Sequence, residues 1–429
     1  MPIIQMISSE LAPYCCCGGL GVAVENLSSQ LVSLGVTTEV FFPLSDPPAI
    51  AHHHTNGLIP SAIDVPIDVA NQSDVELAPS LTIFCQKALS SLTRKSESCF
   101  IAHDNEAAIS VVIGKQLGAS SVFWLHSLYD HPVRSDFPAA TRKLLKSESL
   151  LSSAISDSRM MVTSSGMLKD ALSIKWPGRL REIQQAIQDA DQAKKIMLVE
   201  SLGLLKERVA SVVNVGAAAK YGLAKKPFVL FSSRPVLYKG IGFFELIAKK
   251  MQGEEFEFVA VGYPSDEIRS LCPNISWIPW LKKDELFGLM AQAIAVVHPS
   301  LTEGYGLAAA ESTKFNGNVF CHPVGGLQIL IECQLANGVP ATEEELRGFY
   351  ELWSNLLTTK SQRDAVAAWL KQSASFDGLM DRWVSNLSRK LFRGENSAWQ
   401  ESQVSGGQPW QGMTWGETLL RANGKLRLY

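Results

Sequence analysis

Apolar residues in the first half of the chain fall into short runs separated by segments of helical spacing. Ile3 to Ile7 reads as a buried strand, and Val22 to Leu34 repeats apolar residues at helical intervals before Gly35 supplies a stop. Thr38 to Phe42 is the next strand. Ser98 to Ala102 and Ser121 to Leu125 read as strands flanking a helix over Glu106 to Leu117. Met160 to Thr163 leads into a helix over Met167 to Leu172, and Val212 to Val215 closes the half as a strand. Residues 44 to 98 carry no clean period and predict loops with a helix before Glu97.

Between Gly216 and Pro227 the period is lost, as in an interdomain linker, and a second alternating half begins. It predicts strands at Phe228 to Ser232, Glu257 to Val261, Ile275 to Ile278, Ile294 to His298 and Val319 to His322. Helices are predicted at Gly242 to Met251 and Asp284 to Ala291, and after Gly306. Beyond about residue 341 the pattern is helical, over Phe349 to Leu357, Ser361 to Gln372 and Gly378 to Leu391. Strands alternating with helices imply parallel sheets, and right-handed crossovers make them doubly wound. The expected organisation is an α/β chain with domains at 1–218 and 227–375, a helix at 376–391, and an unassigned tail at 392–429.

Composition narrows the classes. A hydrophobic fraction of 46% and a charged fraction of 19% are ordinary for a globular protein, and 429 residues suffice for two or three domains. A formal net charge of −3 offers no electrostatic footprint for nucleic acid. No apolar run reaches bilayer-spanning length, and the amino terminus reads as a strand rather than a secretory signal, so a cytoplasmic location is expected. The eight cysteines include Cys15-Cys16-Cys17 but show no zinc-like spacing, which favours reduced thiols. His52-His53-His54 has no matching ligand cluster, so no metal site is expected.

Candidate chemistry concentrates after the apolar run Ala293 to Val297. The chain breaks at Pro299, passes Glu303, turns through Gly304-Tyr305-Gly306, and starts a helix that carries Glu311. Free amides of Gly306 and Leu307 at a strand's carboxyl edge would suit a phosphate, and the two carboxylates would suit sugar and ribose hydroxyls. Two acids eight apart would mean little alone; the surrounding proline, serine and glycines give the pattern its weight. Pro-Ser-x-x-Glu-Gly-aromatic-Gly-Leu with Glu-x7-Glu resembles the signature of retaining glycosyltransferases of two Rossmann-like domains, the GT-B architecture.

A second constellation follows the strand Phe228 to Ser232. Arg234 and Lys239, in Arg-x4-Lys-Gly, would stabilise the charge that grows on a departing diphosphate. The same spacing resembles the donor-diphosphate pair of these enzymes. In the first half, Gly18-Gly19-Leu20-Gly21 lies between the first strand and helix, where glycines let backbone approach a ligand. That loop resembles the Lys-x-Gly-Gly-Leu-Gly-Asp of bacterial glycogen and starch synthases, with two departures: Cys16 stands at the lysine position and Val22 at the aspartate. His103-Asp104 resembles their His-Asp-Trp segment, and His126-Ser127-Leu128-Tyr129 their His-Asn-Leu-Ala-Tyr segment. Gly325-Gly326-Leu327 matches a family turn with a backbone role, whereas Asn214-Val215-Gly216-Ala217 lacks the aspartate expected there.

The resemblance covers roughly residues 1 to 390. It implies two Rossmann-like domains with a cleft between them and a last helix, 376–391, crossing back onto the first domain. It also implies retaining, metal-independent transfer of a hexose from a nucleoside diphosphate sugar to a hydroxyl acceptor, either a glycan or a small molecule. No cofactor is implied beyond the co-substrate. Glu303 would hold sugar hydroxyls, Glu311 the ribose, and Arg234, Lys239 and the Tyr305-Gly306-Leu307 turn the diphosphate. Gly18, Gly19 and His126 would contact the donor, and Asp104 would face the sugar or acceptor. A non-catalytic nucleotide-sugar or glycan-binding protein that supports a partner, a sugar-nucleotide epimerase, and a homodimer all remain open. A phosphorylase would require a lysine-linked pyridoxal group.

Overall fold

A computed structural model describes residues 3–12, 19–44, 57–65, 74–92, 99–127, 148–173, 181–200, 213–214, 216–358 and 376–393. The chain forms two compact units that part at residues 207–208. No described helix is long and apolar enough to cross a membrane.

The first unit is built on a seven-stranded sheet: β1 (Ile3–Ser8), β2 (Thr37–Pro43), β3 (Leu58–Ile63), β4 (Cys99–His103), β5 (Ser120–Trp124), β6 (Met160–Thr163) and β7 (Ile196–Leu198). Its order is β3-β2-β1-β4-β5-β6-β7, and every pairing is parallel. Helices Asp74–Ser91, Ala108–Gln116, Glu148–Asp157 and Arg181–Gln192 join the strands. Phe84, Phe100, Val111, Phe123 and Ile155 belong to one buried cluster beneath them. β4 is buried along its whole length, as a central parallel strand covered on both faces must be.

The second unit repeats the plan with six strands: β8 (Phe228–Phe231), β9 (Glu257–Val261), β10 (Ser276–Ile278), β11 (Ala295–His298), β12 (Val319–Cys321) and β13 (Asn337–Gly338). Their order is β10-β9-β8-β11-β12-β13, again parallel throughout. Each sheet therefore reverses its winding at one place, beside β1 and β4 in the first and beside β8 and β11 in the second. At such a switch point two neighbouring connections leave the sheet in opposite directions, opening a crevice at the strands' carboxyl ends.

Several sequence expectations shift. The final strand of the first sheet is Ile196–Leu198, a short edge strand with too few apolar residues to show a period. Val213 and Asn214 lie in no strand, and Val212 and Val215 fall outside the described residues. The segment read as a linker contains a helix, Ala217–Lys220, that packs within the second unit. Asn214 N donates to the Asp284 carbonyl (3.1 Å), and Lys220 pairs with Glu285. Helix Asp377–Arg393 makes its described contacts with the second unit, through Trp383 to His322, Arg382 to Glu345 and Lys250 to Asp381. The Ser361 to Gln372 helix and residues 394–429 lie outside the described residues.

Candidate active site

In the second unit the carboxyl ends of β8 and β11 are tied together by His298. Its Nδ1 lies 3.2 Å from Ser233 Oγ and its Nε2 2.9 Å from Ser312 Oγ, which joins both strands to helix Leu307–Phe315. Burial holds the imidazole down at about 4, with Glu303 opposing and Lys239 reinforcing the shift. It is therefore a neutral strut at the base of the site.

The loop that leaves β11 carries Glu303, and the loop that leaves β8 carries Lys239. The structure brings them together: Lys239 Nζ donates to both carboxylate oxygens of Glu303 at 2.6 Å, and Ser300 Oγ donates to Oε2 at 3.2 Å. The side chains keep 17% and 14% of their exposure, so the pair is largely withdrawn from water yet reachable. Burial pushes the Glu303 carboxyl upward, but the Lys239 ammonium and the Ser300 hydroxyl outweigh it and leave the group below its ordinary range. Arg234 is exposed, and its Nη2 donates to Tyr238 Oη (2.8 Å). The Tyr238 ring is itself buried, with Lys239 Nζ 5.2 Å from its centroid, so one tyrosine orients both cations. Sequence reasoning passed over Tyr238 because a tyrosine between two cations carries no charge signal of its own.

Backbone geometry explains the glycines. Gly306 caps helix Leu307–Phe315 at φ 68°, the left-handed conformation that favours glycine. A Cβ on Gly240 would lie 1.9 Å from the Pro299 carbonyl oxygen, and one on Gly325 would lie 1.7 Å from that of Glu303. The Glu303 loop is thus clasped from both sides, with Leu301 N donating to Tyr238 O (2.8 Å) and Gly326 N to Gly304 O (2.9 Å). Gly325→Ala adds a methyl to a φ of 49° where no room exists, and it should cost about 2–4 kcal/mol in urea unfolding. Gly378→Ala, whose methyl meets open space, is the control and should lose nothing.

Two expected ligand groups differ in detail. The Tyr305 side chain is only 4% exposed and packs inward, leaving its backbone as the part that faces the turn. Glu311 is half-buried within the helix, beyond its first turn. Two large aromatic residues missed by the sequence stand at the neighbouring strand ends: Tyr263 after β9 is 66% exposed and Trp280 after β10 is 51% exposed. A Cβ on Gly262 would lie 3.0 Å from Pro235 and 3.6 Å from Trp280, so this glycine lets the loops after β8, β9 and β10 converge. The available signal was an aromatic residue directly after an apolar strand, which is too common to single out.

In the first unit Asp104 sits at the end of β4 at φ 62°, an uncommon conformation for a residue other than glycine. Its carboxylate accepts from Asn105 Nδ2 (2.8 Å), from the Ser127 amide (3.2 Å) and from Ser127 Oγ (3.0 Å). Only 2% exposed, it latches β4 to the loop after β5 through these hydrogen bonds. His126 is 8% exposed, and its Nε2 lies 3.0 Å from His103 Nδ1, with both rings stacked near Trp124. Burial lowers both imidazoles, His103 to about 3, and each would oppose the other's charge. Gly19 begins helix Gly19–Ser33 and is exposed, while Gly18 and the cysteine run lie outside the described residues. The Gly21 amide of that helix start donates to Glu10 Oε2 (3.0 Å), so a carboxylate of the chain itself caps the helix.

Among the described residues no group of three or more His, Cys, Asp or Glu side chains converges as a metal site would need. With this geometry in view, comparison with known proteins gives one consistent answer. Residues 217–364 match the family model of glycosyl transferases group 1, and residues 3–145 match that of the starch synthase catalytic domain. The chain is a GT-B glycosyltransferase. Its fold is similar to that of sucrose-phosphate synthase from Thermosynechococcus elongatus, with 18% identity, a TM-score of 0.59, and 94% of this chain and 98% of that one covered. The catalytic domain of starch synthase IV from Arabidopsis thaliana, solved with ADP and acarbose, has 15% identity and a TM-score of 0.54 over 90% of this chain and 99% of its own. HepE from Anabaena, solved with UDP-glucose, has 14% identity and a TM-score of 0.52 over 94% and 100%. A search of curated protein sequences finds no match.

Proposed function

We propose that this glycosyltransferase binds a nucleoside diphosphate sugar at the carboxyl ends of β8 to β11 and transfers a hexose to a hydroxyl acceptor with retention. The observation that carries the reading is the Glu303–Lys239 pair at the switch point, next to the start of helix Leu307–Phe315. A diphosphate fits there because its charge meets Lys239, Arg234 and the positive end of helix Leu307–Phe315. As the donor seats, Lys239 turns from the carboxylate to phosphate, and Glu303 gains the sugar hydroxyls. Glu311 takes the ribose hydroxyls, and the exposed Trp280 ring stacks on the base.

In the transfer step the acceptor oxygen bonds to the anomeric carbon on the face from which the diphosphate departs. The electron pair of the breaking carbon–oxygen bond leaves with the phosphate, which takes the acceptor's proton. Arg234, Lys239 and the helix dipole meet the charge growing on that oxygen, so in this scheme the chain's own cations perform the electrostatic work. The names of two similar structures agree in kind, since one was solved with ADP and another with UDP-glucose.

Thermal unfolding with ADP, UDP, GDP and TDP and their glucose conjugates tests the reading. Ligand at a hundred times its dissociation constant adds about 2.7 kcal/mol, so one base should raise the melting temperature selectively. Trp280→Ala should weaken that nucleotide's binding by about 5- to 150-fold, the equivalent of about 1–3 kcal/mol of base stacking. No shift with any of the eight compounds would overturn the donor-site reading and turn attention to a non-catalytic role.

A further inference from the structure

Glu303 stands in an irregular loop between β11 and helix Leu307–Phe315, yet its carboxylate must be held within a fraction of an ångström to be useful. One of its supports runs back to the last described helix. Trp383, on helix Asp377–Arg393, donates its indole N–H to His322 Nε2 at 2.8 Å. His322 Nδ1 lies 3.1 Å from the Ser300 carbonyl, and Ser300 Oγ donates to Glu303 Oε2 at 3.2 Å. Trp383, His322 and Ser300 are all 0% exposed.

The roles in this line are forced. A carbonyl only accepts, so Nδ1 carries the imidazole proton; an indole only donates, so Nε2 is bare. One neutral tautomer satisfies both neighbours. The rings are fixed by packing as well: Phe243 meets His322 edge-on at 5.2 Å, and Trp383 does so at 5.1 Å. The helix that carries Trp383 is anchored separately, by Lys250 on Asp381 (2.7 Å) and by Arg382 on Glu345 (2.7 Å). An apolar pair of similar volume would fill the space without the cost of burying polar groups, but it would lack direction.

We infer that Trp383 and His322 are positioning residues that orient the Ser300–Glu303 loop for the transfer reaction. The inference rests on the reading of Glu303 as the sugar-holding carboxylate.

Its test separates the two claims. In the full chain, the Glu303 carboxyl is followed by carbon NMR with labelled glutamate and assigned by its loss in Glu303→Gln. Trp383→Phe, which keeps an aromatic ring and removes the N–H, should shift the carboxyl's titration midpoint upward without any ligand present. An unmoved midpoint overturns the inference, whether or not the protein turns over a donor. Hydrolysis of ADP-glucose and UDP-glucose then reads the catalytic consequence. Trp383→Phe and His322→Phe should lower kcat by about 10- to 100-fold with the KM for the donor nearly unchanged. His322→Gln, which retains one donor and one acceptor, should recover part of the loss. Adding Trp383→Phe to Glu303→Gln should cost nothing further. Additive losses, or an equal fall in both His322 variants, would mark the line as core packing only.

Discussion

Glu303→Ala is expected to lower turnover about 1,000-fold while leaving nucleoside diphosphate affinity within about two-fold of the parent. In the proposed mechanism Lys239, 2.6 Å from Glu303 in the free protein, turns to phosphate and leaves the carboxylate to the sugar hydroxyls, so removing the carboxylate strips interactions that tighten as the glycosidic bond breaks. Lys239→Ala should act differently. It removes the cation that offsets burial, so the Glu303 carboxyl should rise and the nucleoside diphosphate should bind more weakly as well as react more slowly. It should also cost about 2–4 kcal/mol of stability, since one partner of a pair only 14–17% exposed is left without its counter-charge. In the parent, the folded pKa of Glu303 lies below the unfolded value, so the pair's contribution is complete above pH ~4.5 and is lost as pH falls through the folded value. Kinetics of both variants with the nucleotide sugar selected by thermal shift decide the matter. Unchanged turnover in Glu303→Ala would remove that residue from the mechanism.

Acidification should unfold the first unit before the second. Buried histidines held neutral bind fewer protons folded than unfolded, so their contribution is complete above the unfolded pKa of 6.5 and erodes as pH falls towards the folded value. His103 is lowered to about 3 and His126 well below its ordinary value, both by burial; His298 and His322 are lowered to about 4 by burial. At pH ~4.5 His103, His298 and His322 each cost about 2–3 kcal/mol relative to neutral pH, and His126 acts in the same direction. The second unit contains a counterweight. Burial raises the Glu245 carboxyl to about 7, despite its bonds to Asn274, so this group binds a proton in the folded state first and stabilises on acidification. Its gain over the same interval, about 2–3 kcal/mol, roughly cancels one histidine. The first unit therefore carries two such penalties and the second a net one. Hydrogen exchange between pH 7 and 4.5 should show the first unit's strands opening earlier, and Glu245→Gln should bring the two together. Simultaneous opening in the parent would contradict the assignment.

Much of the architecture was legible because buried parallel strands are short apolar runs. Met160–Thr163 and Glu257–Val261 match their expected bounds, and most other strands agree within a residue or two. The signal failed where an element is half-buried or brief. β3 (Leu58–Ile63) is mostly half-exposed, and β13 (Asn337–Gly338) has two residues, too few to show a period. The Ala217–Lys220 helix has one turn and lay inside a stretch taken for a linker. The glycines at 306 and 325 were legible as turns, but the reason each must be glycine was not, because the atoms they avoid come from other loops.

The sequence by itself determined the two α/β halves, the strand-to-helix junction at Pro299 to Leu307, and the residue types of the candidate site. These depend on local period and spacing, which the linear order contains. Only the tertiary structure decided how those residues are used. It paired Lys239 with Glu303, set Tyr238 beneath both cations, turned Asp104 inward to latch two loops, and linked Trp383 through His322 and Ser300 to the site carboxylate. Apart from the local contacts of Tyr238, each is a contact between residues far apart in the chain. Its direction depends on which strand ends become neighbours in the sheet, and only the folded β8–β11 and β4–β5 pairings fix that.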